Sequence, residues 1–258
     1  MLYGQPFNKA SQNRQQAGWT RFTRLCWQAL NSKRKNFYMG IRILFLILLY
    51  VFFNPTVSAE STKRVLDFIS ELEVLVKEGN LVAEFHLGNI YMEGLEGVSK
   101  DQHKGYGYLL SSAKGGHIQA QYNLAASYKL GQGIPQNTEK ALHWYLQAAN
   151  NGHANAQLQS ALILQNRKKY SEAIVLFNKA ALQGIVDAQF LLASVYHFGK
   201  GAPQNYRIAY VWYSIAAANG DSDSEKMRDM VLKQLDNETI AKAQNEAAKI
   251  FESMKSNG

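Results

Sequence analysis

The sequence predicts an all-α fold: an α/α superhelical solenoid of helix-pair repeats with capping helices at both ends. Three observations carry this expectation. One patterned block recurs 68 residues apart, and two variant copies accompany it. The starting alanines of the four copies, Ala83, Ala120, Ala156 and Ala188, are spaced 37, 36 and 32 residues apart. In the second half of one copy, Ala141, Trp144, Tyr145, Ala148 and Ala149 fall at i, i+3, i+4, i+7 and i+8, which is one face of an α-helix.

The first element along the chain is a basic leader. The 258 residues carry a formal net charge of +8, a value that suggests nucleic acid until the charges are located. Lys9, Arg14, Arg21, Arg24, Lys33, Arg34, Lys35 and Arg42 lie in residues 1–59, which hold no Asp or Glu. Residues 60–258 hold equal numbers of acidic and basic side chains, so nucleic acid is not the expected partner. Residues 43–53 form an apolar run, Ile-Leu-Phe-Leu-Ile-Leu-Leu-Tyr-Val-Phe-Phe. A membrane span needs about 20 apolar residues, whereas a secretory core needs 7–15. Val57-Ser58-Ala59 supplies the small residues that a signal peptidase accepts, so cleavage is expected between Ala59 and Glu60. The product would be periplasmic or secreted, with no stable membrane anchor after cleavage. The other reading is an uncleaved inner-membrane signal anchor with a basic cytoplasmic tail. Met39-Gly40-Ile41-Arg42 would make a normal short lead-in to the apolar run, so Met39 is a candidate true start. The single cysteine, Cys26, excludes a disulfide framework and a multi-cysteine zinc site.

Residues 60–82 come next. Val65, Phe68, Ile69 and Leu72 form a helical stripe that ends at Gly79, four residues before Ala83 as Gly116 lies four before Ala120. This spacing predicts a lone second helix, an N-terminal cap. The two close copies then follow one grammar. Ala120-Gln121-Tyr122-Asn123-Leu124 matches Ala188-Gln189-Phe190-Leu191-Leu192, and Gly131-x-Gly133-x-Pro135-Gln136-Asn137 matches Gly199-x-Gly201-x-Pro203-Gln204-Asn205. Ala141, Trp144, Tyr145, Ala148 and Ala149 match Ala209, Trp212, Tyr213, Ala216 and Ala217. Small alanines let helices approach, and the rings fill the space between repeats. The glycines suit helix ends that turn through positive φ, and Asp101, Asn137 and Asn205 stand where the second helices need N-caps. The copy that starts at Ala83 has an enlarged loop. The copy that starts at Ala156 drops the glycine loop and has Ser160 and Leu164 in place of the leucine and tyrosine. Residues 222–256 read as helix, a break near Asp236-Asn237-Glu238, and helix, a C-terminal cap.

This long ordered signature resembles the Sel-one-like repeat family, relatives of tetratricopeptide repeats, over residues 83–223. With the leader, the resemblance is to a bacterial exported type. It implies repeats over residues 83–119, 120–155, 156–187 (degenerate) and 188–223, with capping segments over 60–82 and 224–258. It also implies a scaffold or adaptor in the bacterial envelope rather than an enzyme, without a cofactor. Its partner would be a protein or peptide on the concave face lined by the first helices.

Three rows of residues are the candidates for that face. Phe85, Tyr122, Leu158 and Phe190 lie two after each starting alanine; Asn89, Ala126, Leu162 and Ser194 lie six after it; Met92, Lys129, Gln165 and His197 lie nine after it. Aromatics would supply contact area and polar groups orientation. The resembling family also uses Tyr or Phe in the first row for packing, so core and binding readings of that row both stay open.

Other motifs carry less. His117 and His153 occupy equivalent repeat positions, and no H-E-x-x-H exists, so no metal is expected. Ser111-x-x-Lys114 matches a penicillin-enzyme motif, but so does Ser32-x-x-Lys35, and no K-T-G accompanies either. Asp221, Asp223 and Glu225 alternate like a calcium loop but lack its glycine and closing glutamate, so they read as an acidic helix start. Two alternatives stand beside the scaffold: a hydrolase acting on cell-wall material or β-lactams, and a peptidoglycan- or glycan-binding module using Tyr122, Trp144 or Trp212.

Overall fold

A computed structural model describes residues 59–95 and 97–256. The leader, its apolar run and the first residues of the expected cleavage motif lie outside the described residues, and Ala59 and Glu60 open the first helix. The chain divides into two units, Met1–Lys63 and Arg64–Gly258, and all four repeats lie in the second.

Eleven helices are described. The first is α1, Ala59–Lys77. Four helix pairs follow: α2 (Leu81–Glu93) with α3 (Gln102–Lys114), α4 (Ile118–Leu130) with α5 (Thr138–Asn150), α6 (Ala154–Asn166) with α7 (Tyr170–Leu182), and α8 (Val186–Phe198) with α9 (Tyr206–Ala218). Two helices close the chain, α10 (Ser222–Leu232) and α11 (Asn237–Ser256). The two helices of each pair pack on one another, the second helix packs on the first helix of the next pair, and α10 and α11 both pack on α9. This is the one-dimensional stacking of an α/α solenoid. Among the described residues the sole extended pairing is a bridge between Leu95 and Val98 in the enlarged first loop. No helix among them is long and apolar enough to cross a membrane.

The repeat grammar explains the core. Leu109, Tyr145, Phe177 and Tyr213 occupy one equivalent second-helix position and are all buried. Burying each such side chain stabilises the array by about 1.5–3 kcal/mol. Small residues stand where the paired helices cross. A Cβ on Gly105 would lie 2.7 Å from the Met92 backbone nitrogen, so α2 and α3 can meet at that distance only over glycine. Asp101, Asn137 and Asn205 accept hydrogen bonds from the backbone N–H groups of Lys104, Lys140 and Ile208, capping α3, α5 and α9 as their spacing predicts. At the amino end of the array, Val65, Ile69 and Leu72 of α1 are buried.

The third pair is built differently at its turn. With no glycine loop, α6 ends on Lys168, the one non-glycine residue with positive φ (61°) among the described residues. Arg167 donates two hydrogen bonds to Glu139, at 2.9 and 2.6 Å, tying this turn to the start of α5.

Candidate functional site

The first helices α2, α4, α6 and α8 lie side by side, and their side chains hydrogen-bond from repeat to repeat. Asn123 Nδ2 donates to Asn89 Oδ1 at 2.7 Å, and Lys129 Nζ donates to Gln159 Oε1 at 2.7 Å. Asn89 and Lys129 are half-buried, so they present polar groups already fixed by a neighbour. Ala126 and Leu162 are also half-buried and pack against the core. Ser194 Oγ lies 3.0 Å from the Tyr213 hydroxyl. His197 stacks on Phe198 at 4.3 Å and meets Tyr206 and Tyr213 edge-on; burial holds its pKa below the ordinary value.

The aromatic row does two jobs. Phe85, Tyr122 and Phe190 are half-buried and pack against the core. Phe85 also meets the ring of His117 at 4.8 Å, and Tyr122 stacks on His153 at 4.5 Å with 15° between planes. Those histidines are N-caps. His117 Nδ1 accepts from the Ala120 N–H, and His153 Nδ1 accepts from the Ala156 N–H. With Nδ1 accepting, His153 Nε2–H donates to Gln119 Oε1 at 2.9 Å. Burial pushes both imidazoles towards the neutral form that this geometry needs.

Met92 does not join a surface row. It is 5% exposed and lies in the core, because Gly105 leaves room for it between α2 and α3. Leu158 is buried to the same degree. At the third repeat, however, the ring and the histidine are replaced by Leu158 and Ile185, so no stack forms there. A groove of about 290 Å³ opens at this point. Leu158, Leu162, Phe190 and Leu191 are its apolar lining, and Asp187, Asp221 and Asp223 stand around it. Three residues of the predicted rows therefore share one concavity.

A buried glutamine in each of three repeats was not predicted to have a role. Gln121, Gln157 and Gln189 donate from Nε2 to the carbonyls of Ala113, Ala149 and Ala181, eight residues upstream on the previous second helix. They stitch repeat to repeat, and the sequence signal was the recurring Ala-Gln pair. Among the described residues no group of His, Asp and Glu side chains is arranged to hold a metal ion. Ser111 Oγ donates to Glu84 Oε1 at 2.7 Å, a contact between paired helices. Of the tryptophans weighed for glycan binding, Trp212 is buried in the core and Trp144 is half-buried against it.

Stacked helix pairs of 13-residue helices with glycine-rich turns define a tetratricopeptide-like solenoid. The chain belongs to the Sel1 repeat family, whose model matches residues 81–117, 118–153, 158–185 and 186–221. A Sel1 repeat protein from Oxalobacter formigenes has a similar crystal structure, with a TM-score of 0.56 and 29% identity over 66% of this chain and 71% of that one. The chitin synthase regulator SKT5 of Saccharomyces cerevisiae is 32% identical over 162 residues, 60% of this chain and 23% of the relative. Human protein sel-1 homolog 2 is 33% identical over 87 residues, 31% of this chain and 13% of the relative. The chain spans about a quarter or less of the length of these curated relatives. Sel1 repeat proteins act as scaffolds and regulators of protein interactions.

Proposed function

We propose that this chain is an exported scaffold or adaptor in the bacterial cell envelope, holding a protein or peptide partner on the concave face lined by α2, α4, α6 and α8. One observation carries the reading: polar and apolar side chains of these helices run half-exposed from repeat to repeat, fixed by neighbours such as Asn123 and Gln159. A surface ordered before binding loses less side-chain entropy when a partner arrives. Relatives named as regulators, such as SKT5, support the adaptor role. The basic, acid-free leader with its apolar run and Val57-Ser58-Ala59 supports export, and it points to a periplasmic or released product.

Site-specific photo-crosslinking tests the face. A crosslinker placed at Asn89, Ala126 or Ser194 should trap a partner in living cells. One placed at His143 or Lys179, exposed on second helices, should not. Equal trapping from both sets would refute the assignment. Amino-terminal sequencing of the protein from cells tests export, with Glu60 as the expected first residue and an intact leader as the refuting result.

A further inference from the structure

We infer that the groove between α6 and α8 takes a peptide segment that places apolar side chains beside a lysine or arginine. This rests on the reading of the first-helix face as the binding face and names the chemistry of its occupant. The groove has a lining that wants apolar contact: Leu158, Leu162, Phe190 and Leu191 meet there with no ring–histidine stack to cover them. At about 290 Å³ it is at the small end of ligand pockets, and its depth suits a few side chains rather than a whole cofactor.

The charged residues of the lining itself are all acidic: Asp187, Asp221 and Asp223. The nearest cation on the α4 side is Lys129, whose ammonium is held by Gln159 of the lining at 2.7 Å, so the acidic border is the α8–α10 side. The Asp187 carboxylate makes no hydrogen bond or ion pair among the described residues. Asp221 uses Oδ2 to cap α10 at the Ser224 N–H, which leaves its other oxygen available. Asp223 pairs with Lys226 at 2.9 Å, but both side chains are more than 70% exposed, so an incoming cation can displace Lys226 at little cost. An apolar cleft with an acidic border attracts and orients a cation next to an apolar anchor, and it repels a carboxylate. The other three junctions lack this combination, since rings cover the first two and α10 already caps the last.

The test uses the full chain and two fluorescent probe peptides of one apolar pattern, one of alternating Leu and Lys and one of alternating Leu and Glu. Each probe carries a photo-crosslinker. The first protein variant is Asp187→Asn/Asp221→Asn/Asp223→Asn, which keeps the α10 cap because Asn also caps. The second is Leu162→Tyr, which fills the groove from a half-buried position and leaves the charges in place. Unchanged melting of both variants establishes that they fold. The Leu/Lys probe should bind the parent, bind each variant about tenfold more weakly, and lose the difference for the Asn variant at about 0.5 M salt. The Leu/Glu probe should bind the parent more weakly than the Leu/Lys probe does and should gain affinity in the Asn variant, where the repulsion is gone. No binding of the Leu/Lys probe to the parent, or equal binding by all three proteins, would overturn the inference. Crosslinks that stay on α2 or α4 and ignore the substitutions would sink this groove but keep the first-helix face. Crosslinks confined to second helices would sink both.

Discussion

Gln121 and Gln189 occupy the same position of two repeats, yet replacing each by Met should have different consequences. Gln189 is fully buried and satisfied at both ends. Its Nε2 donates to the Ala181 carbonyl at 3.0 Å, and its Oε1 accepts from Asn219 Nδ2 at 3.1 Å. Gln189→Met removes two hydrogen bonds, each worth about 1 kcal/mol net. The partners it leaves are not stranded: Ala181 still accepts from the Gly184 N–H, and Asn219 is exposed to water. The expected loss is therefore about 1–2 kcal/mol. Gln121 donates to the Ala113 carbonyl at 3.2 Å, but its buried Oε1 finds no partner among the described residues. An unsatisfied buried acceptor costs about 1–3 kcal/mol. Gln121→Met removes that cost together with one bond, so it should be neutral or stabilising. Urea unfolding of the full chain, read as a shift in midpoint at constant slope, measures both. Equal losses at the two sites would refute the argument, because shape alone would then set the cost.

Two further substitutions separate backbone strain from close contact. Gly152 has φ +88° and open space where alanine would add its Cβ, so Gly152→Ala should cost only the left-handed penalty of about 1 kcal/mol. Gly133 has φ +75° and would set its Cβ 2.4 Å from the Gln102 carbonyl oxygen; Gly133→Ala should cost about 2–4 kcal/mol in the same assay. The histidine caps predict a pH dependence. His153 accepts through Nδ1, and burial holds its folded pKa below the ordinary 6.5. The stabilisation is complete above 6.5 and is lost as pH falls through the lower folded value. Melting temperature measured against pH should show a fall in this window that is smaller in His153→Asn, since Asn caps without titrating. An unchanged profile would remove His153 from the account.

Much of the fold is legible in the sequence because it is written in local rules. The i, i+4, i+7 stripe of Ala141, Tyr145 and Ala148 needs no knowledge of neighbours to mark a buried helix face. Asn137 caps α5 because a short acceptor side chain can reach the backbone three residues on. What escaped depends on contacts between repeats. The Ala-Gln pair was visible as a recurrence, but its role required the position of the Ala181 carbonyl on another helix. Met92 fell in a row with Lys129 and His197, yet the close approach at Gly105 turned that position inward in the first repeat. His117 and His153 were legible as equivalent positions, while capping by an imidazole follows from orientation that spacing does not encode. The groove lies at the repeat junction where Leu158 stands in place of a ring and Ile185 in place of a histidine, a coincidence that the linear sequence does not display.

The same third repeat allows its stability to be changed apart from its surface. The last turn of α6 closes as the second helices do: Lys169 N–H bonds to the Leu164 carbonyl and Lys168 N–H to the Gln165 carbonyl, each at 2.9 Å. His153 and Gly152 make the equivalent pair of bonds at the end of α5, and there the left-handed residue is glycine. Lysine at that position carries a Cβ clash of about 1–2 kcal/mol. Lys168→Gly relieves the clash, while added freedom of the unfolded chain offsets about 0.4–1 kcal/mol. The net expectation is a gain of up to about 1 kcal/mol in urea unfolding. Lys168 is exposed and belongs to none of the residues that line the groove, so the affinity for a Leu/Lys probe should not change. A destabilised Lys168→Gly would mean that the lysine side chain contributes more than its strained backbone costs. A more stable variant with altered probe affinity would mean that the α6 turn and the groove move together.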